Sequence, residues 1–131
     1  MARLRCLGIS FFEIVTDSGK VVYIDPCISI NPDCPITIQD IPRADVVLVT
    51  HMARDHSSDM IPLLQKTGAQ LVCARDAAYA ATQAGIPAER VKVVLSGVAV
   101  EQAGVRIKAL KTEHGSWSIQ DGRPVFDLSL G

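Results

Sequence analysis

ADVVLVTHMARDHSSDM, residues 44–60, begins like one kind of structure and ends like another. Residues 44–50 are, apart from Asp45, an apolar and β-branched run, the pattern of a strand buried on both faces. Residues 57–68, SSDMIPLLQKTG, read as a helix with Ser57 or Ser58 as N-cap and Gly68 as terminator. Pro62 lies near the first turn, where proline is tolerated. Between them a short loop carries His51, Asp55 and His56, two of the chain's three histidines with an acid beside them. A loop joining a buried strand to a helix is where a rigid scaffold presents functional groups. Imidazole nitrogens and a carboxylate are borderline ligands suited to zinc, iron or manganese.

Working outward, RLRCLGIS (3–10), FFEIVT (11–16) and KVVYID (20–25) read as strands, and DSG at 17–19 makes a hairpin of the last two. PCISINPDCPITIQDIP (26–42) holds four prolines and reads as a long irregular loop, a feature that is commonly functional. Downstream, AQLVCA (69–74) is a second buried strand and RDAAYAATQAG (75–85) an Ala-rich helix ending at Gly85. KVV (92–94), AVEQ (99–102), VRIKALKTEH (105–114) and VFDLSL (125–130) follow as strands, with a turn at DGRP (121–124). Strands outnumber helices and two strand–helix units sit mid-chain. That pattern predicts a single α/β or α+β layered domain with a mixed sheet.

The totals narrow the partners. The chain has 131 residues, which suits one domain, and 48% are hydrophobic, enough for a substantial core. Thirteen basic against fourteen acidic residues give a formal charge of −1 and no electrostatic case for nucleic acid. No basic cluster supports a membrane surface, and no apolar run approaches the roughly 18 residues of a span. The N-terminal MARLRCLGISFFEIVTDSGK superficially resembles a signal peptide, but Glu13 interrupts its apolar run. The expectation is a soluble cytoplasmic protein, with Cys6, Cys27, Cys34 and Cys73 reduced and structural. Cys6 and Cys73 lie in strand-like runs, where a thiol behaves as a small hydrophobe.

The third histidine, His114, ends the alternating run VRIKALKTEH and precedes Gly115 and Ser116. All three histidines thus read as following strands. If those strand ends share one edge of the sheet, the rings converge on a cation. A lone histidine at a strand end more often bonds a backbone carbonyl, and Asp55 could instead cap the following helix. Three histidines and an acid in this order favour the metal-site reading. Trp117 reads as a packing residue and Arg54 as a solvated loop charge.

VTHMARDHSSD resembles the H-x-H-x-D-H signature of the metallo-β-lactamase superfamily. More narrowly, IDPCISINP followed by DIPRADVVLVTH is similar to the metal-dependent hydrolases related to L-ascorbate-6-phosphate lactonase. The likeness continues to TEHGS and DGRPVFDLSLG. It implies half of a four-layer αβ/βα sandwich, residues 1–131 forming the N-terminal half with helices on one face of a mixed sheet. It implies His51, Asp55, His56 and His114 as ligands of a divalent metal, zinc first and manganese or iron as alternatives. Asp55 would also serve catalysis, by orienting the attacking water or accepting its proton. Asp25, of the I-D-P step, would support the site from behind, although an aspartate before proline equally reads as a turn former. Metal-activated water would then attack a small ester, lactone or phosphorylated metabolite.

Two departures stand beside that likeness. Ala53 replaces the motif's second histidine, and the G-D-T segment and final histidine of the second half do not occur in the sequence. They raise an alternative from another class, a catalytically silent half-domain that self-associates. An uncovered apolar sheet face favours such association, so a homo-oligomer is expected.

Overall fold

The computed structural model describes residues 1–111 and, beyond them, the backbone of two strands at 116–120 and 123–127. Six strands form the main sheet: β1 (Arg3–Gly8), β2 (Phe11–Val15), β3 (Val21–Ile24), β4 (Val46–Val49), β5 (Gln70–Cys73) and β6 (Val91–Val93). Spatial order equals chain order; β1, β2 and β3 pair antiparallel, and β3 through β6 pair parallel. The short turn at 17–19 permits the β2–β3 hairpin, whereas each parallel step needs a crossover. Two crossovers carry helices, α2 (Met60–Thr67) and α3 (Arg75–Gln83).

Period-2 alternation sends successive residues to opposite sides. Tyr23, Val47, Val49, Leu71 and Cys73 face the helices and pack with Met60, Leu63, Leu64, Ala77 and Ala81 in one buried core. Val22, Val46 and Val72 face the other way. There a ribbon of β7 (Ala99–Gln102) and β8 (Val105–Lys108) covers them with Val100, Val105 and Ile107. Helices therefore lie on one face and a ribbon on the other, as the mixed layered fold requires. β9 (Ser116–Gln120) and β10 (Arg123–Asp127) form a further antiparallel pair. β9 is a strand that the sequence pattern did not indicate.

Three local expectations are corrected. The helix expected over 57–68 is split: one turn, α1 (Arg54–Ser57), forms inside the histidine loop, and α2 starts only at Met60 after Asp59. Gly68 does end α2, in the left-handed conformation that a residue without Cβ adopts freely. The strand of the last alternating run ends at Lys108, although Ala109 still pairs with the segment before β7, its amide donating to the Val98 carbonyl at 2.9 Å; residues 112–114 lie outside the described residues. Cys6 is exposed, its edge strand being uncovered there. Cys73 is buried, and that burial, helped by Asp76, pushes its thiol up to about 12, which makes it inert. All four cysteines are free thiols. Among the described residues no helix is long and apolar enough to cross a membrane.

Candidate metal centre

Parallel pairing of β3 with β4 sets Ile24 beside Leu48, and the amide of Asp25 donates to the Leu48 carbonyl at 2.9 Å. Asp25 therefore leaves its strand next to Thr50, at the C-terminal edge where open α/β sheets bind ligands. Its backbone takes φ +50°, an uncommon conformation that aspartate tolerates better than most residues. Asp25 is 2% exposed, and its charge is met from three directions. Oδ1 accepts the Thr50 amide at 2.7 Å; Oδ2 accepts the Thr50 hydroxyl at 2.7 Å and faces His56 Nδ1 at 2.7 Å.

His56 sits on α1 and is buried, with its ring 4.1 Å from the half-buried ring of His51, centroid to centroid. It lies within a helical turn rather than directly after a strand, against the sequence expectation; His51 does come directly off the β4 edge. The α1 turn forms because the chain reverses at Ala53, whose carbonyl accepts the His56 amide at 2.9 Å and the Ser57 amide at 3.0 Å. That turn brings the two rings together. Asp55 is exposed, with Oδ2 3.8 Å from His56 Nε2, too far for a hydrogen bond. His114 lies outside the described residues.

Proton positions follow from this network. A carboxylate only accepts, so the hydrogen between Asp25 and His56 belongs to Nδ1 of the imidazole. The neutral ring then carries its lone pair on Nε2, the nitrogen on the Asp55 side. A carboxylate behind one ring nitrogen is the arrangement that fixes metal-ligating histidines elsewhere.

Whether these residues fit a divalent cation depends on donor kind and number. In kind they fit: two imidazoles and a carboxylate suit zinc, iron or manganese. Two ligands bound at about 2.1 Å around a tetrahedral ion stand roughly 3.4 Å apart, close to the His56–Asp55 separation. In number they fall short. Among the described residues no group of three or more His, Cys, Asp or Glu is placed to hold a metal ion. Ala53 contributes no donor where the motif would have an imidazole.

Sequence reading missed Asp59. It is 4% exposed and ties the proline-rich loop to α2: Oδ2 accepts the amides of Ile28 at 2.7 Å and Ser29 at 2.9 Å. The same oxygen accepts the hydroxyls of Ser58 at 2.7 Å and Ser29 at 3.1 Å. Burial pushes its carboxyl up, but the Ser58 hydroxyl and these loop donors outweigh that and hold it below the ordinary carboxylate range. Its place directly before the first apolar residue of α2 suggests an N-cap, but the side chain makes no cap hydrogen bond and serves the loop instead.

The model of the family described as the β-lactamase superfamily domain matches residues 3–126. A metal-dependent hydrolase of Methanobrevibacter smithii is 34% identical over 86% of this chain and 46% of its own length. One from Nitratidesulfovibrio vulgaris is 36% identical over 94% of this chain and 51% of its own. The chain thus spans about half the length of the curated relatives it matches. Among solved structures, a metallo hydrolase from the archaeon Ignicoccus hospitalis superposes with a TM-score of 0.65 at 28% identity, covering 75% of this chain and 41% of that one. A B3 metallo-β-lactamase with an active-site glutamic acid gives 0.55 at 20% identity, over 95% and 57%, a likeness of fold alone.

Proposed function

Because the chain belongs to the β-lactamase superfamily domain family, we propose that it carries the N-terminal half of the active site of a metal-dependent hydrolase. Residues 1–131 would form one half of a four-layer sandwich, and the substrate would be a small ester, lactone or phosphorylated metabolite. The observation that carries this reading is the buried Asp25 carboxylate holding His56 through Nδ1, beside His51. Burying a carboxylate is costly, and spending it on the rear of an imidazole gains most where the front nitrogen has work to do.

His51, Asp55, His56 and His114 would hold the metal. A bound divalent metal supplies a water acidified toward neutrality and a Lewis acid for the developing oxyanion. The chain's own share is to orient His56 through Asp25 and to place a carboxylate, Asp55, at the open side, where it can take a proton from water. Lys111 lines a cavity of about 320 Å³ together with Thr50, Leu48, Val72 and Ile107. The same cavity, apolar with Lys108 and Lys111 on its lining, has the size of a small-molecule site.

A second reading rests on different observations. Ala53 lacks a donor, and Leu95, Val98 and Leu110 are large exposed hydrophobics near the ribbon. These favour a silent half-domain that self-associates. Melting the protein with and without zinc, manganese or iron(II), together with its mass in solution, separates the two. The hydrolase reading expects a higher melting temperature with metal, and a further rise when Ala53→His supplies the missing imidazole. No shift in either protein, with a dimeric mass, would establish the silent reading instead.

A further inference from the structure

We infer that Thr50 is a positioning residue that sets the tautomer of His51, so that one buried carboxylate orders both imidazoles. This rests on the metal-centre reading for its purpose but not for its chemistry. The Thr50 hydroxyl has one hydrogen, and it points at Asp25 Oδ2 from 2.7 Å. The same oxygen lies 3.0 Å from His51 Nδ1. With its hydrogen committed to a carboxylate that cannot donate, the hydroxyl can only accept from His51. Nδ1 of His51 therefore holds the proton, and its Nε2 holds the lone pair.

The result is a branched relay with Asp25 at its root. One arm runs directly to His56 Nδ1; the other runs through Thr50 Oγ to His51 Nδ1. The Thr50 arm favours, for His51, and the direct Asp25 contact favours, for His56, the tautomer whose Nε2 is open to a cation. The Asp25–Thr50 contact is doubled, amide and hydroxyl onto separate oxygens, which fixes the carboxylate plane and so the direction of both arms. Alanine, valine or glycine at position 50 could supply the amide but not the second arm. Serine could supply both.

Long-range proton–nitrogen NMR of the metal-free protein, above the imidazole titration range, reads the tautomers directly. Expected are Nδ1-protonated signals for both His51 and His56 in the wild type. Thr50→Val, nearly isosteric, should shift His51 toward Nε2 protonation and leave His56 unchanged, while Thr50→Ser restores the wild-type pattern. Zinc titration by calorimetry should then show affinity weakened about 10- to 100-fold in Thr50→Val and recovered in Thr50→Ser. Unchanged His51 signals in a folded Thr50→Val protein would overturn the inference, as would a wild type with His51 protonated on Nε2. If the tautomers respond as stated but zinc binds to none of the proteins, the metal-centre reading fails and the relay stands.

Discussion

Two buried aspartates sit on opposite sides of the same junction and use their charge differently. Asp25 leaves β3 and grips the histidine loop, through Thr50 and His56. Asp59 stands at the end of the histidine loop and grips the segment after β3, through Ile28 and Ser29. The Asp59 amide also donates to the Pro26 carbonyl at 3.1 Å, closing the clasp. Each loop thus lends the other a carboxylate. The difference lies in what is held. Asp59 meets only amides and hydroxyls, groups that do not titrate near neutrality, whereas Asp25 divides its oxygens between the backbone and an imidazole. Structural and functional uses of one chemical group are distinguished here by the partners, not by burial, since both are nearly inaccessible.

If that contrast is right, the larger stability loss comes from Asp59. Asp59→Ala leaves the Ile28 amide without its acceptor in a buried position, and an orphaned buried donor costs roughly 1–3 kcal/mol. With the two serine hydroxyls and the Ser29 amide also released, a loss of about 3 kcal/mol is expected from urea unfolding. Asp25→Asn should cost less, about 1–2 kcal/mol, because the amide keeps the shape, tolerates positive φ and still accepts from Thr50. Its zinc affinity should fall further than its stability warrants, while a stable Asp59→Asn protein keeps its zinc affinity. Equal losses of metal binding in the two variants would dissolve the distinction.

How far this was readable in the sequence follows from the same residues. The run over 44–50, broken only by Asp45, announced a buried strand, and β4 is one. The order His51, Asp55, His56 announced a loop site, and the structure does bring those rings together. The helix start was misjudged because Ser57 and Ser58 look like caps by composition. Asp59 instead spends its side chain on a loop some thirty residues earlier, and local propensity carries no trace of such a partner. The relay from Asp25 was invisible for a similar reason. It exists because β3 and β4 pair in one register, and a shift of one residue would turn Thr50 away. Residue types and order are legible one at a time; adjacency between distant segments is a property of the sheet.

The subtlest way to sharpen the contrast is acid. The carboxyl of Asp59 is held below its ordinary value of 3.8 in the fold, so the folded state binds its proton less readily than the unfolded chain does. Stabilisation from that group is complete above the unfolded value and drains away as pH falls through the folded one. Asp45 behaves in the same direction, burial opposing the Val21 amide and Arg43 that hold it down, so the wild type should weaken in acid for more than one reason. Comparing wild type with Asp59→Asn isolates the share of Asp59. Their difference in unfolding free energy should be full at about pH 6 and should have begun to shrink by about pH 3, because below 3.8 the unfolded chain takes up a proton that the folded carboxyl resists. A difference that stays constant across that range would mean that Asp59 acts through shape and hydrogen-bond count alone, and that its charge contributes nothing to the clasp.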